Sequence, residues 1–360
     1  MILSEIPWLH TLNLPESHTY TIEQERLISI SSERACMVDS GKKANKDLLS
    51  SEVRDYNIRE YDIQSILSEM ANSGGFESRN LAQGIDILQS MISEQDCTRF
   101  LSFVGSLMST GSRGIIRDML KHKMFDVVIT TCGAIDHDLA RTYDKYYAGD
   151  FRMDDSMLLD NNIHRLGNVL VPMENYGPLI EEKTQKCLND MYKGGFRDVA
   201  SYEITSFIGS TLDESSFLYW AHKNKIPVIV PGIVDGAVGS QIWLFYQQHK
   251  DFKIDILKDQ SKLSDLVFEA KKSGAFMIGG GISKHHTLWW NQFRGGLDYA
   301  VYITTAPEWD GSLSGALVAE AISWGKVTAK ASQTTIHGEA STLLPFIYAA
   351  LQVSSKNMQK

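Results

Sequence analysis

The segment Asp126-Val-Val-Ile-Thr130 runs directly into Thr131-Cys-Gly133, so an apolar, β-branched stretch ends at small and polar residues. Val and Ile favour extended backbone, and a run without polar alternation is typical of a strand covered on both faces. Burial of both faces requires helices on each side of a parallel sheet. The segment therefore predicts an α/β fold with a Rossmann-like, doubly wound parallel sheet.

Similar apolar runs lie on either side of this segment, and helical patterns separate them. In Ser112–Met124, for example, Ile115, Ile116 and Met119 share one helical face. The pattern Thr211-x-x-Glu214 predicts a capping box at the start of another helix. The predicted strands are Phe100–Met108, Asp126–Thr130, Ile226–Val230, Ala275–Ile278 and Tyr299–Ile303.

The chain is predicted to hold a single large domain, because strand and helix patterns continue without a break. Residues 1–60 are mixed and polar towards their end, and we interpret them as an N-terminal arm and linker. Residues 61–353 form the predicted domain, and residues 354–360 read as a tail.

Composition limits the class of protein. The 360 residues carry a net charge of −9 and no long basic run, so nucleic acid is not expected as a partner. No apolar run is long enough to span a membrane and no secretory signal is visible, which favours the cytoplasm. The cysteines form no C-x-x-C pair, which disfavours a zinc site or a disulfide framework. They are Cys36, Cys97, Cys132 and Cys187.

Ligands of doubly wound sheets bind at the carboxyl ends of the strands. The G-x-G-x-x-G pattern of dinucleotide sites is absent. Gly279-Gly280-Gly281 follows a predicted strand, and the triplet fits either a tight turn or a loop that a cofactor approaches closely. The hydroxyls between Gly105 and Gly111 fit either a cofactor loop or the cap of the next helix.

Two further segments contain reactive side chains. His285 and His286 are adjacent and point apart, which disfavours a shared metal; one of them fits a general base, or both fit structural roles. Lys326 follows Trp324 and Gly325, and the glycine is suited to end a helix. Lys326 fits either a structural lysine at the helix end or an amine that tryptophan desolvates into a nucleophile.

Taken together, several blocks in the same order resemble the deoxyhypusine synthase family, over most of the chain from about Phe100 to Leu351. The blocks are Ser106-Leu-Met-Ser-Thr-Gly111, Asp126-Val-Val-Ile-Thr-Thr131, Asn162-Ile-His-Arg-Leu-Gly-Asn-Val-Leu-Val-Pro172, Glu174-Asn-Tyr176, Asp235-Gly236, Gly279-Gly-Gly-Ile-Ser-Lys-His-His286, Asp298-Tyr-Ala-Val-Tyr302 and Glu320-Ala-Ile-Ser-Trp-Gly-Lys326.

The resemblance implies a homotetramer with active sites at subunit interfaces, and a reaction that uses NAD. In that family a hydride leaves the carbon beside the secondary amine of spermidine, a lysine attacks the resulting imine, and diaminopropane departs. The aminobutyl group then passes to a lysine of the hypusine-bearing translation factor. By motif, Lys326 is the implied nucleophile and His285 the implied base.

The resemblance also implies the ligand contacts. Trp324 and Glu320 line the implied amine pocket, together with Asp136, His137, Ser240, Gly311, Ser312 and Leu313. The implied NAD contacts are Ser106, Leu107, Ser109, Thr131, Gly133, Asp235, Gly280, Thr305, Ala306, Gly338 and Glu339.

The chain departs from the family where carboxylates grip the amines of spermidine. The family has an acidic residue at the position of Ser240, an aspartate at Leu313, and an acidic pair where this chain has Asp136-His137. These losses predict retained lysine chemistry with an altered amine donor or acceptor. The alternatives are strict deoxyhypusine synthesis, a homospermidine synthase-like reaction, and an NAD-binding protein without transferase activity.

Overall fold

The computed structural model describes residues 53–60 and 62–358, with side chains described as far as Gln352. Most of the predicted N-terminal arm, residues 1–52, and residue 61 lie outside this range, as does Cys36. The main sheet holds six strands, all parallel. They are β1 (Cys97–Phe103), β2 (Val127–Ile129), β7 (Val228–Ile229), β9 (Lys272–Ile278), β10 (Leu297–Thr304) and β11 (Val327–His337).

The strand order is β11-β10-β9-β1-β2-β7. From β1 the chain first builds outward through β2 to β7, then returns to the other side of β1 and builds β9, β10 and β11. This is the strand order of dinucleotide-binding folds, and its direction reverses between β1 and β9. The doubly wound, Rossmann-like prediction is therefore confirmed.

Helices cover both faces of this sheet. Neighbouring residues of one strand accordingly pack into two different hydrophobic cores. Leu101 and Phe103 belong to one buried cluster, whereas Phe100 belongs to the other. The helices before β9 are α1 (Ile63–Ser73), α2 (Phe76–Ser93), α3 (Ser112–Lys121), α4 (Cys132–Tyr143), α5 (Asp155–Asp160), α6 (Gly177–Lys193), α7 (Ser201–Ser210), α8 (Phe217–Asn224), α9 (Ala237–Gln248) and α10 (Ile256–Glu269). After β9 follow α11 (Gly281–Asn291), α12 (Glu320–Ser323) and α13 (Ala340–Met358).

Two small sheets were not predicted. One has three antiparallel strands, and the other pairs two short parallel strands. The strands are β3 (Tyr147–Ala148), β4 (Ile163–Leu166), β5 (Val169–Pro172), β6 (Asp198–Val199) and β8 (Lys253–Ile254). These strands are short and largely exposed or half-buried, so they lack the fully buried apolar run that marks a strand of the main sheet.

Two local predictions were wrong. The strand predicted over Phe100–Met108 ends at Phe103, and Gly105–Ser109 forms a 3₁₀ turn instead. The capping box predicted at Thr211 is also absent, because Thr211 ends α7. The next helix, α8, begins after Ser216, whose hydroxyl accepts the backbone N–H of Tyr219 at 3.1 Å.

Residues from Arg54 onward form one compact unit. The last helix runs to Met358 and so enters the segment interpreted as a tail. Among the described residues, no helix is long and apolar enough to cross a membrane. The described cysteines, Cys97, Cys132 and Cys187, are buried free thiols.

Candidate active site

A cavity of about 660 Å³ opens at the carboxyl ends of β1, β9, β10 and β11, where the strand order reverses. Its volume lies within the range of ligand and cofactor sites. Most of the cofactor contacts implied by the resemblance line it. They are Ser106, Leu107, Ser109, Gly280, Thr305, Ala306, Gly338 and Glu339.

The glycine triplet after β9 forms part of the cavity wall. Gly279 and Gly281 have φ values of +75° and +73°, which other residues rarely adopt. At Gly280, a Cβ would lie 2.2 Å from the hydroxyl oxygen of Ser314. The triplet therefore makes a tight turn, and Gly279 and Gly280 line the cavity.

One helix N-terminus, that of α11, presents N–H groups to this region without a side-chain cap, because Gly280 precedes the helix. At α3 the Thr110 hydroxyl accepts the backbone N–H of Ser112 at 3.2 Å. The Ser109 and Thr110 hydroxyls also donate to the carbonyl oxygens of Ser106 and Leu107, at 2.7 and 2.8 Å. Uncapped helix N-termini favour anionic groups such as the pyrophosphate of a dinucleotide.

Three implied cofactor contacts do not line the cavity. A Cβ on Gly105 would lie 2.9 Å from the Thr131 hydroxyl and from the Gly133 carbonyl carbon, so these two residues lie behind the loop that follows β1. Asp235 is exposed on the loop before α9. The cavity of the single chain thus excludes Thr131, Gly133 and Asp235.

Buried side chains hold the loop that carries Gly311, Ser312 and Leu313. The ammonium of Lys284, which is 1% exposed, donates to the carbonyl oxygens of Leu313 at 2.9 Å and Ala316 at 2.6 Å. It also lies 3.7 Å from the ring centroid of Tyr302. Burial lowers the pKa of Lys284 to about 8. Sequence reasoning assigned Lys284 no role, because a buried lysine and an exposed one look alike in a sequence.

Lys326 lies at the start of β11 and is half-buried. The backbone N–H groups of Gly325 and Lys326 donate to the carbonyl oxygens of Ile322 and Ala321, each at 3.0 Å, which forms a Schellman motif. Gly325 adopts a φ of +66° to allow it. The predicted helix end at Gly325 is thereby confirmed, and the last carbonyls of α12 are satisfied by backbone rather than by the Lys326 amine.

The Lys326 amine is therefore available for another role, and aromatic rings surround it. Its Nζ lies 5.3 Å from the ring centroid of Trp289 and 5.1 Å from that of Trp324. His285 stacks on Trp289 with a centroid separation of 5.7 Å. Burial, assisted by the charge of Lys326, lowers the pKa of His285 below its ordinary value. A neutral imidazole thus accompanies the amine. Trp289 belongs to no quoted motif and was missed.

Three of the implied amine contacts lie on α4 and α9, away from Lys326. They are Asp136, His137 and Ser240. Asp136 is 1% exposed and accepts the N–H groups of Ala237 at 2.9 Å and Val238 at 2.8 Å, so it caps α9. Its carboxylate also accepts the Tyr176 hydroxyl at 3.1 Å. The Ser240 hydroxyl donates to the Gly236 carbonyl at 3.1 Å. Asp136 is committed to the fold and presents no carboxylate to solvent.

His137 lies beside Asp136 on α4 and is also engaged. Its Nδ1 is 3.0 Å from the Tyr146 hydroxyl. Burial, followed by the charge of Arg141, lowers the pKa of His137 to about 4. Neither member of the Asp136-His137 pair therefore offers a charged group to an amine at neutral pH.

The implied site residues fall at separate places in one chain. Asp235 and Ser240 follow β7, whereas Lys326 precedes β11, and these are the two edge strands of the six-stranded sheet. Five strand spacings separate the edges, roughly 24 Å. Lys326 also lies at the amino end of its strand, whereas the cavity lies at the carboxyl ends. Among the described residues, no group of His, Cys, Asp and Glu side chains is placed to hold a metal ion.

The strand order and the cavity at its reversal define the class: a doubly wound α/β protein with a cavity where such folds bind ligands. Comparison with known proteins gives the family. The deoxyhypusine synthase family model matches residues 65–351. Proteins named as probable deoxyhypusine synthases from Picrophilus torridus and Thermoplasma volcanium are 51% and 52% identical, over 84% of this chain and 97% and 98% of their own lengths.

The chain belongs to the deoxyhypusine synthase family, and it is accordingly a transferase of that type. Among solved structures, a candidate deoxyhypusine synthase from Entamoeba histolytica superposes with a TM-score of 0.56 at 19% identity, covering 83% of this chain and 95% of the other. That likeness supports the fold. The family resemblance seen in the sequence is confirmed.

Proposed function

We propose that this chain is an NAD-dependent aminoalkyl transferase that works through a covalent imine on Lys326 and acts on an altered amine donor or acceptor. The observation that carries the proposal is the setting of Lys326. Its amine is half-buried between Trp289 and Trp324, next to a His285 whose lowered pKa keeps the imidazole neutral. Such surroundings favour a nucleophilic amine with a base nearby.

The cavity at the strand reversal fits NAD. The N-terminus of α11, which follows Gly280 and has no side-chain cap, suits the pyrophosphate. Bound there, NAD supplies the oxidising power that turns an amine into an imine and returns the hydride later. Eight of the eleven residues implied to hold it line the cavity, from Ser106 to Glu339.

Lys326 and His285 supply the covalent steps. The Lys326 amine attacks the imine carbon of the substrate, the smaller amine leaves, and the aminoalkyl group remains on the enzyme. A neutral His285 accepts the proton that the attacking nitrogen loses. The exposed indole of Trp324 covers the aliphatic part of a bound amine and attracts its cationic ends.

The separation of Lys326 from Asp235 and Ser240 supports a composite site completed by a second copy of the chain. A homotetramer with sites at its interfaces, as the family implies, brings edges of two chains together. The exposed Trp289 and Trp324 side chains are suited to such an interface. Cytoplasmic placement and the hypusine-bearing translation factor as acceptor belong to the same proposal.

Trapping of the covalent intermediate tests this function. The full chain is incubated with NAD and a panel of amines that includes spermidine, agmatine and putrescine, then reduced with borohydride. Mass spectrometry of the peptide that contains Lys326 should show an aminoalkyl adduct that requires both NAD and the amine. A complete absence of adduct across the panel, with NAD still bound, would favour the NAD-binding protein without transferase activity.

Restoring a family carboxylate should tighten polyamine binding. In Leu313→Asp, a carboxylate returns to the loop that Lys284 holds, and a charged hydrogen bond of about 1.5–3 kcal/mol corresponds to roughly 10- to 150-fold in Kd. We expect spermidine to bind at least about tenfold more tightly in calorimetric titration with NAD present. Leu257→Asp, at a leucine 70% exposed on α10, is the matched control. Equal affinity in both variants would contradict the altered-donor proposal.

A further inference from the structure

The hairpin of β4 and β5 forms one wall of the cavity. Its turn residues, Gly167 and Asn168, line the cavity together with the flanking Leu166 and Val169. Gly167 adopts a φ of +62°, as the first residue of a tight two-residue hairpin turn requires. The cavity thus has a wall that comes from the small antiparallel sheet and not from the ends of the parallel strands.

Phe151 completes this wall, and its side chain has no core role. It is 67% exposed, and among the described residues that line the cavity it is the only aromatic one. A Cβ on Gly167 would lie 3.1 Å from the Phe151 ring, so the ring rests against the hairpin turn. Scattered exposed apolar residues are normal in folded proteins, but an aromatic ring held at a cavity is suited to a ligand.

Arg165 fixes both parts of the wall. Its Nη1 donates to the carbonyl oxygens of Phe151 at 3.2 Å and Gly167 at 3.0 Å. Its Nε and Nη2 each donate to the Asp155 carboxylate at 2.6 Å. One guanidinium therefore joins the Phe151 turn, the hairpin turn and the start of α5. Two backbone carbonyls and a bidentate carboxylate leave this planar group little freedom.

We infer that Phe151 stacks on a planar base of the bound dinucleotide, and that Arg165 is the positioning residue that keeps this wall in place. Apart from Glu339, the other lining residues are glycines, polar residues and aliphatic side chains, which suit phosphates and sugars better than a flat ring. Aromatic rings stack on every nucleic-acid base, because each base presents a π-face. The inference rests on the proposed function, since it needs a dinucleotide in the cavity.

Calorimetric titration of NAD into the full chain tests the inference. We expect Phe151→Ala and Arg165→Ala to raise the Kd about tenfold, and Phe151→Trp to stay within about twofold of the unaltered chain. Phe268→Ala, at a phenylalanine 65% exposed on α10, is the matched control for loss of an exposed ring. Arg152→Ala, at an exposed arginine beside Phe151, is the control for charge.

The outcomes separate the two proposals. If the unaltered chain binds NAD and Phe151→Ala binds equally well, or if Phe151→Trp loses as much as Phe151→Ala, the stacking inference is overturned and the function stands. If the unaltered chain binds no NAD, the proposed function fails and the inference falls with it. Titration with ADP-ribose assigns the base: an equal loss in Phe151→Ala identifies adenine, and no loss identifies nicotinamide.

Discussion

Lys326→Ala is expected to abolish the covalent adduct and to lower the rate of amine transfer by about 10³-fold or more, while NAD binding remains unchanged. Removal of a nucleophile that carries a covalent intermediate costs several orders of magnitude in kcat. The cavity that we propose for NAD does not include Lys326, so the Kd for NAD should stay unchanged. Borohydride trapping, a transfer assay and calorimetric titration of NAD measure the three quantities.

Lys330→Ala provides the matched control, because Lys330 is an exposed lysine on β11, four residues after Lys326. It should retain both the adduct and the transfer rate. An adduct that persists in Lys326→Ala would move the nucleophile elsewhere. Loss of NAD binding in Lys326→Ala would show that the lysine acts on the cofactor rather than on the amine.

Much of the fold could be predicted, because a strand that is buried on both faces is apolar along its whole length. Runs such as Ala275–Ile278 are apolar throughout, and they became strands of the parallel sheet. The β4–β5 hairpin could not be predicted in this way. Its strands are four residues long and half-buried, and their register depends on a glycine turn and on Arg165, whose partners lie up to 14 residues away in sequence.

The residues of the candidate site could be predicted from the sequence, but their positions relative to one another could not. Motif resemblance singled out Lys326, Trp324 and His285 as candidate residues, and these three lie together with Trp289. Resemblance did not reveal that Asp136 is a helix cap. An aspartate that binds a substrate amine and an aspartate that caps a helix cannot be distinguished in a sequence. Only the partner atoms distinguish them, and those partners lie about 100 residues away, on α9.

Asp136 and Asp138 illustrate this point, because both lie on α4 and each caps a different helix. Two residues apart on a helix, their side chains point to nearly opposite sides. Asp136 accepts N–H groups of α9, whereas Asp138 accepts those of α8. One helix thereby orients the two helices that precede and follow β7 along the chain. Substitutions at either aspartate should affect stability before they affect substrate binding.

Asp138→Ala is expected to lower the free energy of unfolding by about 3–5 kcal/mol, because it leaves the buried Arg113 guanidinium without its counter-charge. Asp138 is fully buried and receives the Arg113 Nε at 2.7 Å and the Ser216 hydroxyl at 2.6 Å. Urea denaturation at fixed protein concentration measures the loss.

Asp126→Ala provides the control, because it breaks the more exposed Arg99 pair and should lower the free energy of unfolding by about 1 kcal/mol. Adding Arg113→Met to Asp138→Ala should restore part of the stability, since the unpaired charge is then gone; no recovery would mean that the cap on α8, and not the ion pair, accounts for the loss.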